Sequence, residues 1–523
     1  MFRRARFILS LLCACTPPAL PDGGVTDAGA GDASVNWRSA LYPPDWTAAR
    51  TDDAGRFIPQ FAWAGWHHGE GDPGMPAATV RVENDGGEMT AGVQAAIDAV
   101  AALDGGVVLL PEGLWLLGSQ LRVRSSGVVL RGEGATKTRL VFTQTSGLAS
   151  SENLLFGGTL RLAGEWPLKA DGVERKSIVT VGASDAGGLQ PGDDVALGIV
   201  ITPAFVAEHQ MTGTWQAFNG TWQPFFWRKV EAVAADGTVT LDVPLRYPMK
   251  LRDLASVRRV EGLIREVGLE SVGLTNTIAA GAAYSMDQVH VVTFSGVADG
   301  YVRDVASFSL DGGAHVQSGG VMIHQSKNVT VERVSLGLAQ HRGSGGNGYL
   351  FELRQANEVL TRDCVGANGR HNFIQNWGFG TTGCVWLRVH SSGGFSASTP
   401  GSSFGGTGYS EFHHSLATAN LIDSSVFDDG FSIVNRRLES TGAGHTGTQN
   451  VLWNTSGTGA LRSMQHGWGY VIGTRGLELG FDSPLGLDEF TAPRDWLEGV
   501  DAGAGLEPQS LYEDQLRRRL LEK

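Results

Sequence analysis

A strand-like apolar pattern recurs through the second half of the chain. The first copy is GYVRDV at positions 300–305, and five later segments repeat its alternation of apolar and polar residues. The copies are anchored at Val305, Val334, Cys364, Val389, Val426 and Thr455. Repeats of this kind, about 30 residues long and broken by Gly, Asn and Ser, predict a solenoid whose stacked coils complete one another's core. Insertions between strands become external loops, where binding and catalytic residues are expected.

The composition is that of a folded protein without a nucleic-acid partner. Of 523 residues, 42% are apolar and 18% are charged, where about 25% charged residues is typical. The net charge is −13, and the only basic run is the short RRR at positions 517–519, which argues against nucleic acid as a partner. After the segment 1–15, only Cys364 and Cys384 remain, at different points of successive repeats, so no disulfide is predicted.

The N-terminus has the features of an export signal. Three arginines at the very start of the chain precede an apolar run at positions 7–12, which is too short to span a bilayer. The segment LCAC at positions 12–15 resembles a bacterial lipobox, which implies lipidation of Cys15. An ordinary cleaved signal peptide is the alternative. We therefore expect an exported protein, secreted or held at the bacterial outer membrane, that touches the membrane only through this lipid anchor.

The rest of the chain divides into recognisable segments. Residues 90–103 have apolar side chains at helical spacing and predict a helix that closes the open end of the solenoid. Residues 151–260 interrupt the coil rhythm with alternating strands, which predicts a small antiparallel β insertion whose aromatic cluster is a core or a sugar-stacking wall. The expected boundaries are a lipoprotein-type signal peptide (1–15), a flexible tether (16–36), an N-terminal wrap with the capping helix and first coils (37–150), the insertion (151–260), the main coils (261–480) and a C-terminal tail with a second capping helix (481–523).

The first coils carry a family resemblance. After the predicted helix come GGVVLLPEG at positions 105–113 and SGVVLRGEG at positions 126–134. This opening resembles the pectate-lyase superfamily, in its rhamnogalacturonase/epimerase-like branch, over roughly positions 85–145. The resemblance implies an all-β protein, a right-handed parallel β-helix, that acts on polysaccharide. It carries no catalytic residue by itself, because one fold hosts many chemistries.

Strand alternation predicts which side chains face outward. With Val321 and Ile323 inward, His324 faces outward, and the same alternation around Leu353 turns Arg354 outward. The two strands are in register, so His324 and Arg354 should stack one strand spacing, ~4.8 Å, apart. The pair is a candidate anion-binding position. Two solvated surface residues are the alternative.

A second polar cluster spans several coils. His341 and His371 are separated by one repeat step, which predicts that they lie near each other on adjacent coils. With the neighbouring Gly-rich loops they indicate a groove on one side of the stack. The alternative is that Asn347 and Asn372 form internal side-chain ladders and that His371 is a turn residue whose hydrogen bonds are already satisfied. Whether His371 or Asn372 faces outward stays open, because either Phe373 or Ile374 can be the inward residue.

These residue types suit β-elimination from a uronic-acid polymer. An arginine neutralises the carboxylate, a histidine removes the proton alpha to it, and a tyrosine or histidine assists the leaving oxygen. The predicted catalytic residues are His371, Arg370, His413 and Tyr349, and the predicted substrate-binding residues are His324, His341, Arg342, Arg354, Asn372, Tyr409 and His414.

Hydrolysis and simple binding are the alternatives. A glycosidase needs two carboxylates about 5–5.5 Å apart for retention or about 6.5–9.5 Å apart for inversion. Asp428 and Asp429 are adjacent and point to opposite faces of a strand unless they lie in a turn, and Asp311, Asp363 and Glu411 are scattered. A non-catalytic glycan-binding or adhesion solenoid is the third hypothesis.

We expect no cofactor. The Asp-rich coil pattern of a Ca²⁺-dependent enzyme is not evident, so Ca²⁺ stays open without a clear site. His445 and His466 lack the spacing of metal ligands, and no metal ligand is assigned. The expected partner is an acidic polysaccharide, and the chain is expected to be a monomer.

Overall fold

A computed structural model of the protein describes residues 36–74, 77–399, 406, 408–480 and 495–522. The predicted signal peptide with Cys15, nearly all of the predicted tether and the first part of the predicted tail lie outside these described residues.

Two long parallel sheets dominate the described chain. The ten-strand sheet consists of Leu121–Val123, Glu152–Gly157, His290–Ser295, Gly319–His324, Tyr349–Arg354, His371–Gln375, Ser410–Phe412, Phe431–Ile433, Ala460–Ser463 and Glu478–Gly480. The lateral sheet consists of Val80–Arg81, Gly106–Leu109, Gly113–Leu117, Val128–Arg131, Thr138–Phe142, Gly268–Glu270, Gly273–Thr275, Tyr301–Arg303, Ala306–Ser307, Thr330–Glu332, Ser335–Gly337, Leu360–Arg362, Val365–Ala367, Val385–Leu387, His390–Ser392, Leu421–Asp423, Val426–Phe427, Val451–Ser456, Tyr470–Arg475 and Trp496–Glu498.

Successive coils stack in register around one axis. Neighbours in one parallel ladder of the lateral sheet are Thr330, Leu360, Val385, Leu421 and Val451. Each coil contributes one strand to the ten-strand sheet and then one or two strands to the lateral sheet. The chain therefore completes one turn around the axis per repeat. Crossover connections between parallel strands are right-handed. The predicted all-β, right-handed parallel β-helix is confirmed.

One predicted anchor is out of register by a single residue. Val426 pairs with His390, so the residue that stacks on Val389 is Ser425. The coil that follows Val389 is therefore one residue shorter than the anchors imply, and the next coil is one residue longer. Val426 was the expected anchor because it is apolar. Ser425 occupies the position instead, and its hydroxyl accepts a hydrogen bond from the Val389 N–H at 3.1 Å.

The core lies inside the coils and is built from stacked apolar side chains. Phe351 and Phe373 stack with ring centroids 4.6 Å apart, although they lie in different coils. Burial of this kind stabilises by about 25 cal/mol per Å² of apolar surface removed from water. Cys364 and Cys384 are buried free thiols.

The two long helices occupy different places on the β-helix. Thr90–Ala101 buries Val93 and Ile97 against the first coils and closes that end of the core, as predicted. Leu511–Leu521 instead packs Tyr512 on the outer face of the lateral sheet, next to the N-terminal wrap. This position corrects the expected end cap. The physical reason is that the outer face of the lateral sheet is itself apolar there, so the start of the helix finds a surface to bury.

The predicted antiparallel insertion is present. Its strands are Arg161–Pro167, Ile178–Thr180, Asp194–Val200, Trp222–Val233, Thr238–Leu241 and Ser256–Glu261. The residues Glu152–Gly157, placed in the insertion by the sequence, form a strand of the ten-strand sheet, so the insertion begins after them. Its aromatic residues Trp215, Phe225, Phe226 and Trp227 are at most 4% exposed and form a core rather than a sugar-stacking wall.

The remaining elements are short. Two small parallel pairs join Ile264–Arg265 to Val297–Ala298 and Ala417–Thr418 to Gly447–Thr448. Single helical turns lie at Trp66–Gly69, Ala183–Ala186, Pro203–Glu208, Leu251–Asp253, Ala280–Ala283, Glu439–Gly442 and Gly503–Gly505. Among the described residues, no helix is both long enough and apolar enough to cross a bilayer.

Candidate active site on the ten-strand sheet

The outer face of the ten-strand sheet brings ionisable residues of successive coils together. Glu352, Ile374 and Glu411 are consecutive neighbours in one ladder of this face. On one side the insertion contacts the sheet edge, where the Trp227 indole N–H donates to the carbonyl of Gln355 at 2.8 Å. Each of the two glutamates is the centre of a buried polar cluster.

The Glu411 cluster combines one carboxylate, two imidazoles and a guanidinium. Glu411 Oε1 contacts His413 Nδ1 in a short hydrogen bond and lies 3.4 Å from His371 Nε2. Arg436 Nη1 donates to the other carboxylate oxygen at 2.8 Å. Burial alone would raise the pKa of Glu411, but Arg436 and the two imidazoles outweigh it and hold this pKa well below its ordinary value. Glu411 is therefore ionised.

The orientation of His371 is fixed by the backbone. Its Nδ1 lies 2.5 Å from the carbonyl oxygen of Tyr409, which can only accept, so Nδ1 carries the proton. Nε2 is left with a lone pair that points at Glu411 and has no hydrogen-bond partner among the described residues. Burial lowers the pKa of His371 to about 3, so its imidazole is neutral.

His413 has the opposite orientation. Its Nδ1 faces Glu411, so the proton lies on Nδ1 and Nε2 carries the lone pair. Burial lowers the pKa of His413, although Glu411 opposes the shift. The carboxylate–imidazole pair is therefore arranged as a neutral base supported by a buried anion.

Tyr349 and Arg370 complete this cluster. The Tyr349 ring lies 5.3 Å from the His371 ring, and burial raises the pKa of the phenol to about 12, so it stays protonated. Arg370 donates to the carbonyl of Gly343 at 2.9 Å. Within the described part of the chain, neither Arg370 nor Arg342 is paired with a carboxylate, and both flank Gly348. Arg370 thus lies beside the neutral histidines, while the Arg342 guanidinium packs on the Phe395 ring at 5.6 Å.

The Glu352 cluster lies two strands away. Glu352 accepts from His290 Nε2 at 2.7 Å, from Asn376 at 2.9 Å and from Arg354 in a short contact. Burial would raise its pKa, but Arg354 and His290 outweigh burial and hold the pKa well below its ordinary value. His324 pairs in register with Arg354, as predicted. Because Arg354 is bound to Glu352, its charge is already compensated.

His341 and His371 do not form the strand pair that their separation by one repeat step suggests. His371 pairs with Tyr349 instead, because this coil is short and residues 338–348 form a loop. His341 lies in that loop, with its ring 4.2 Å from the Tyr284 ring and Nδ1 3.8 Å from Asp287. The repeat step therefore relates a loop residue to a strand residue, and the two do not stack.

Asn372 is the inward residue of its pair with His371. Its amide donates to Asp429 at 2.7 Å and to Ser391 at 3.1 Å, on the inner side of the coil. Leu350 and Phe351, one coil earlier, are consecutive and both belong to the core, so strict alternation fails at the start of these strands. A substrate contact by Asn372 is therefore excluded by its position.

The two remaining predicted contacts lie at the margins. The Tyr409 ring stacks under Arg462, 4.7 Å from the guanidinium carbon, while its carbonyl orients His371. His414 packs edge-on against Trp377 at 4.6 Å, and both of its ring nitrogens lack a hydrogen-bond partner among the described residues. Trp377 itself is 43% exposed.

The carboxylates considered for hydrolysis do not converge. Asp428 hydrogen-bonds His390 at 2.8 Å on the lateral sheet, whereas Asp429 points inward to Ser391 and Asn372. The sequence prediction missed Glu352, His290 and Arg436 as members of the site and left Glu411 among scattered carboxylates. The available signal was the strand register, in which Glu411 follows Glu352 by two coils on the same face.

Among the residues that the structure describes, two groups of side chains have the geometry of a metal site. His371, Glu411 and His413 each offer one ligand atom, and these atoms lie within 4.8 Å of one another. His67, Glu266 and Asp299 meet the same distance, but the first two are exposed. His445 and His466 lie instead with His209 beneath the insertion.

Comparison with known proteins gives similarity of fold. No family model matches the chain, and no curated protein sequence matches it. The polygalacturonase of Erwinia carotovora ssp. carotovora is 8% identical with a TM-score of 0.39, over 85% of this chain and 97% of that one. ORF18 of Geobacillus virus E2 is 11% identical with a TM-score of 0.37, over 80% of this chain, and the chain spans 59% of its length. The Gp54 tailspike of Acinetobacter baumannii bacteriophage AP22, solved with a capsular saccharide, is 8% identical with a TM-score of 0.36, over 79% of this chain and 67% of that one. At these levels the similarity assigns no activity.

Proposed function

We propose that the protein is a polysaccharide lyase that cleaves a uronic-acid-containing polymer by β-elimination at the Glu411 cluster. The observation that carries the proposal is the neutral His413, oriented by the buried anion Glu411 and near Arg370, which has no carboxylate partner in the described chain. Neutral bases and free cations are what proton abstraction next to a carboxylate requires.

The proposed reaction assigns one role to each residue. Arg370, with Arg342 nearby, binds the uronate carboxylate and makes the alpha proton more acidic. His413 Nε2 takes that proton, and Glu411 stabilises the resulting imidazolium. The electron pair left on carbon forms the new double bond as the glycosidic C–O bond breaks. The Tyr349 hydroxyl donates its proton to the departing oxygen, and solvent restores Tyr349 and His413.

The state of the carboxylates favours elimination over hydrolysis. Glycoside hydrolysis needs one carboxyl group that is protonated at the working pH. Glu352 and Glu411 are both held ionised by arginine and histidine partners. Asp429, whose pKa burial raises, points into the coil and is bonded to Ser391. The outer face therefore offers bases and anions but, in the described chain, no evident carboxylic acid.

We also propose that the protein acts outside the cytoplasm. An exported protein, anchored through Cys15 or secreted, would meet polymers outside the cytoplasm. The expected substrate is an acidic glycan that crosses the strands of the ten-strand sheet, and the monomer is the expected active form.

The test is turnover on a panel of uronic-acid polymers, followed by the ultraviolet absorbance of unsaturated uronate ends. We expect one polymer to give this signal, and His413→Ala to lower the rate by about 10²–10⁴-fold, the usual contribution of a general base. Glu411→Gln should lower kcat more than it raises KM, because it acts by positioning His413.

His390→Ala is the matched control. His390 also pairs with a carboxylate, Asp428 at 2.8 Å, but on the lateral sheet, so full activity is expected. New reducing ends without ultraviolet absorbance would show that the protein is a glycoside hydrolase and not a lyase. Polymer binding without any cleavage would show that the protein is a glycan-binding or adhesion protein and not an enzyme.

A further inference from the structure

We propose that His371, Glu411 and His413 form a binding site for a divalent transition metal of the zinc class. The sequence predicts no metal site, because His371 lies on a different coil from Glu411 and His413 and is far from them in the sequence. The folded chain brings their ligand atoms within 4.8 Å of one another, and all three residues are buried.

The donor set fits such an ion, and so does the distance between His371 and Glu411, while the ion would replace the proton of the short Glu411–His413 hydrogen bond. Imidazole nitrogens and a carboxylate oxygen are ligands that Zn²⁺ accepts at about 2.0–2.2 Å, which puts neighbouring tetrahedral ligands about 3.3 Å apart. His371 Nε2 and Glu411 Oε1 are 3.4 Å apart. His371 Nε2 is a buried lone pair without a hydrogen-bond partner among the described residues, aimed at an anion. A cation between these atoms satisfies both.

The surroundings hold these ligands in place. Metal-bound histidines typically donate their second ring N–H to a carbonyl or carboxylate. His371 does so through Nδ1 to the carbonyl of Tyr409 at 2.5 Å. Arg436 holds Glu411 Oε2 at 2.8 Å and leaves Oε1 for the ion.

The charge balance predicts which metals bind. The site has one carboxylate, Glu411, whose charge is already paired with Arg436, so it has no surplus negative charge. Oxygen-preferring Ca²⁺ and Mg²⁺ rely on several carboxylates and should not bind. Imidazole-preferring Zn²⁺, Co²⁺, Ni²⁺ or Cu²⁺ should bind.

Occupancy would switch off the proposed base, and this part rests on the proposed function. Without metal, His413 carries its proton on Nδ1 and keeps the Nε2 lone pair. With the metal on Nδ1, the same proton moves to Nε2, which can no longer accept one. We therefore expect bound Zn²⁺ to inhibit cleavage and a chelator to restore it.

The experiment is Co²⁺ and Zn²⁺ titration of the full chain after chelator dialysis, read by metal content and the visible spectrum of bound Co²⁺. We expect one ion per chain, displaced by Zn²⁺ and not by Ca²⁺. His371→Gln and His413→Gln should lose it. Arg436→Gln should bind more tightly because a positive charge is removed, a gain that misfolding would not produce.

His290→Gln is the matched control, since His290 also pairs with a buried glutamate but belongs to no three-ligand group in the described chain. It should keep the ion. No binding by the wild type, or binding retained by His413→Gln, overturns the site while leaving any lyase activity standing. Bound metal with no lyase activity on any polymer refutes the proposed function but not the site. Bound Zn²⁺ with undiminished lyase activity overturns the switch.

Discussion

Glu358 is buried between two arginines where the insertion meets the β-helix. Its carboxylate lies 2.8 Å from Arg246 and 3.4 Å from Arg228, and it is 1% exposed. Arg228 is completely buried and also donates to the side chain of Asn357 at 3.0 Å. Charges taken out of water in this way depend on their partners, because removing one partner leaves the others without compensation.

We predict that Glu358→Gln destabilises the protein by about 3–5 kcal/mol, the usual cost of breaking a buried ion pair from one side. The measurement is urea unfolding of the variant against wild type. Asp363→Asn, which removes a 39%-exposed partner of Arg388, is the control and should cost about 0–1 kcal/mol. Equal losses of unfolding free energy in the two variants would contradict the claim that Glu358 compensates the buried arginines.

At the scale of elements, three histidines join the insertion to the last coils. The His466 ring lies 4.6 Å from His209, in the insertion, and 4.9 Å from His445. Glu208 and Lys250 lie around His209, and its Nε2 is 2.5 Å from the Tyr247 hydroxyl. Burial lowers the pKa of all three imidazoles, that of His209 to about 4, so they are neutral in the fold.

The sign of the pH effect follows from these shifts. The unfolded chain binds protons near the ordinary histidine pKa of 6.5, while the folded chain does not. Stability is therefore complete above pH 6.5 and falls as the pH drops toward 4. We predict that unfolding experiments at pH 7.5 and 5 show this loss, and that His445→Asn reduces it. His390→Asn, at a half-buried histidine on the lateral sheet, should leave the loss unchanged. An unchanged loss in His445→Asn would refute the explanation.

Some elements could be read directly from the sequence and others could not. The helix at Thr90–Ala101 has apolar residues at helical spacing, and the repeat predicted the coils, because both signals are local. The position of Leu511–Leu521 depends on the apolar outer face of the lateral sheet, which no single segment encodes. The inward position of Asn372 depends on two consecutive core residues at the start of the strand, which alternation cannot anticipate.

At the scale of the whole molecule, the site depends on the length of each coil. The short coil between Tyr349 and His371 puts these two side chains together, and His341 lies in the loop at 338–348 rather than in this ladder. The sequence therefore predicted His371, Arg370, His413 and Tyr349 as a group but not Glu411 as its centre. A constant repeat would have placed a different set of residues side by side.

We propose that the outer face of the ten-strand sheet cleaves an acidic polysaccharide by elimination. Mass spectrometry of the products made from a defined uronic-acid oligomer tests it most directly. We expect fragments with an unsaturated non-reducing end, each lighter by one water than the corresponding hydrolysis product, and we expect His413→Ala to produce none. Saturated fragments at full hydrolytic mass, or unsaturated fragments still formed at the wild-type rate by His413→Ala, would contradict it.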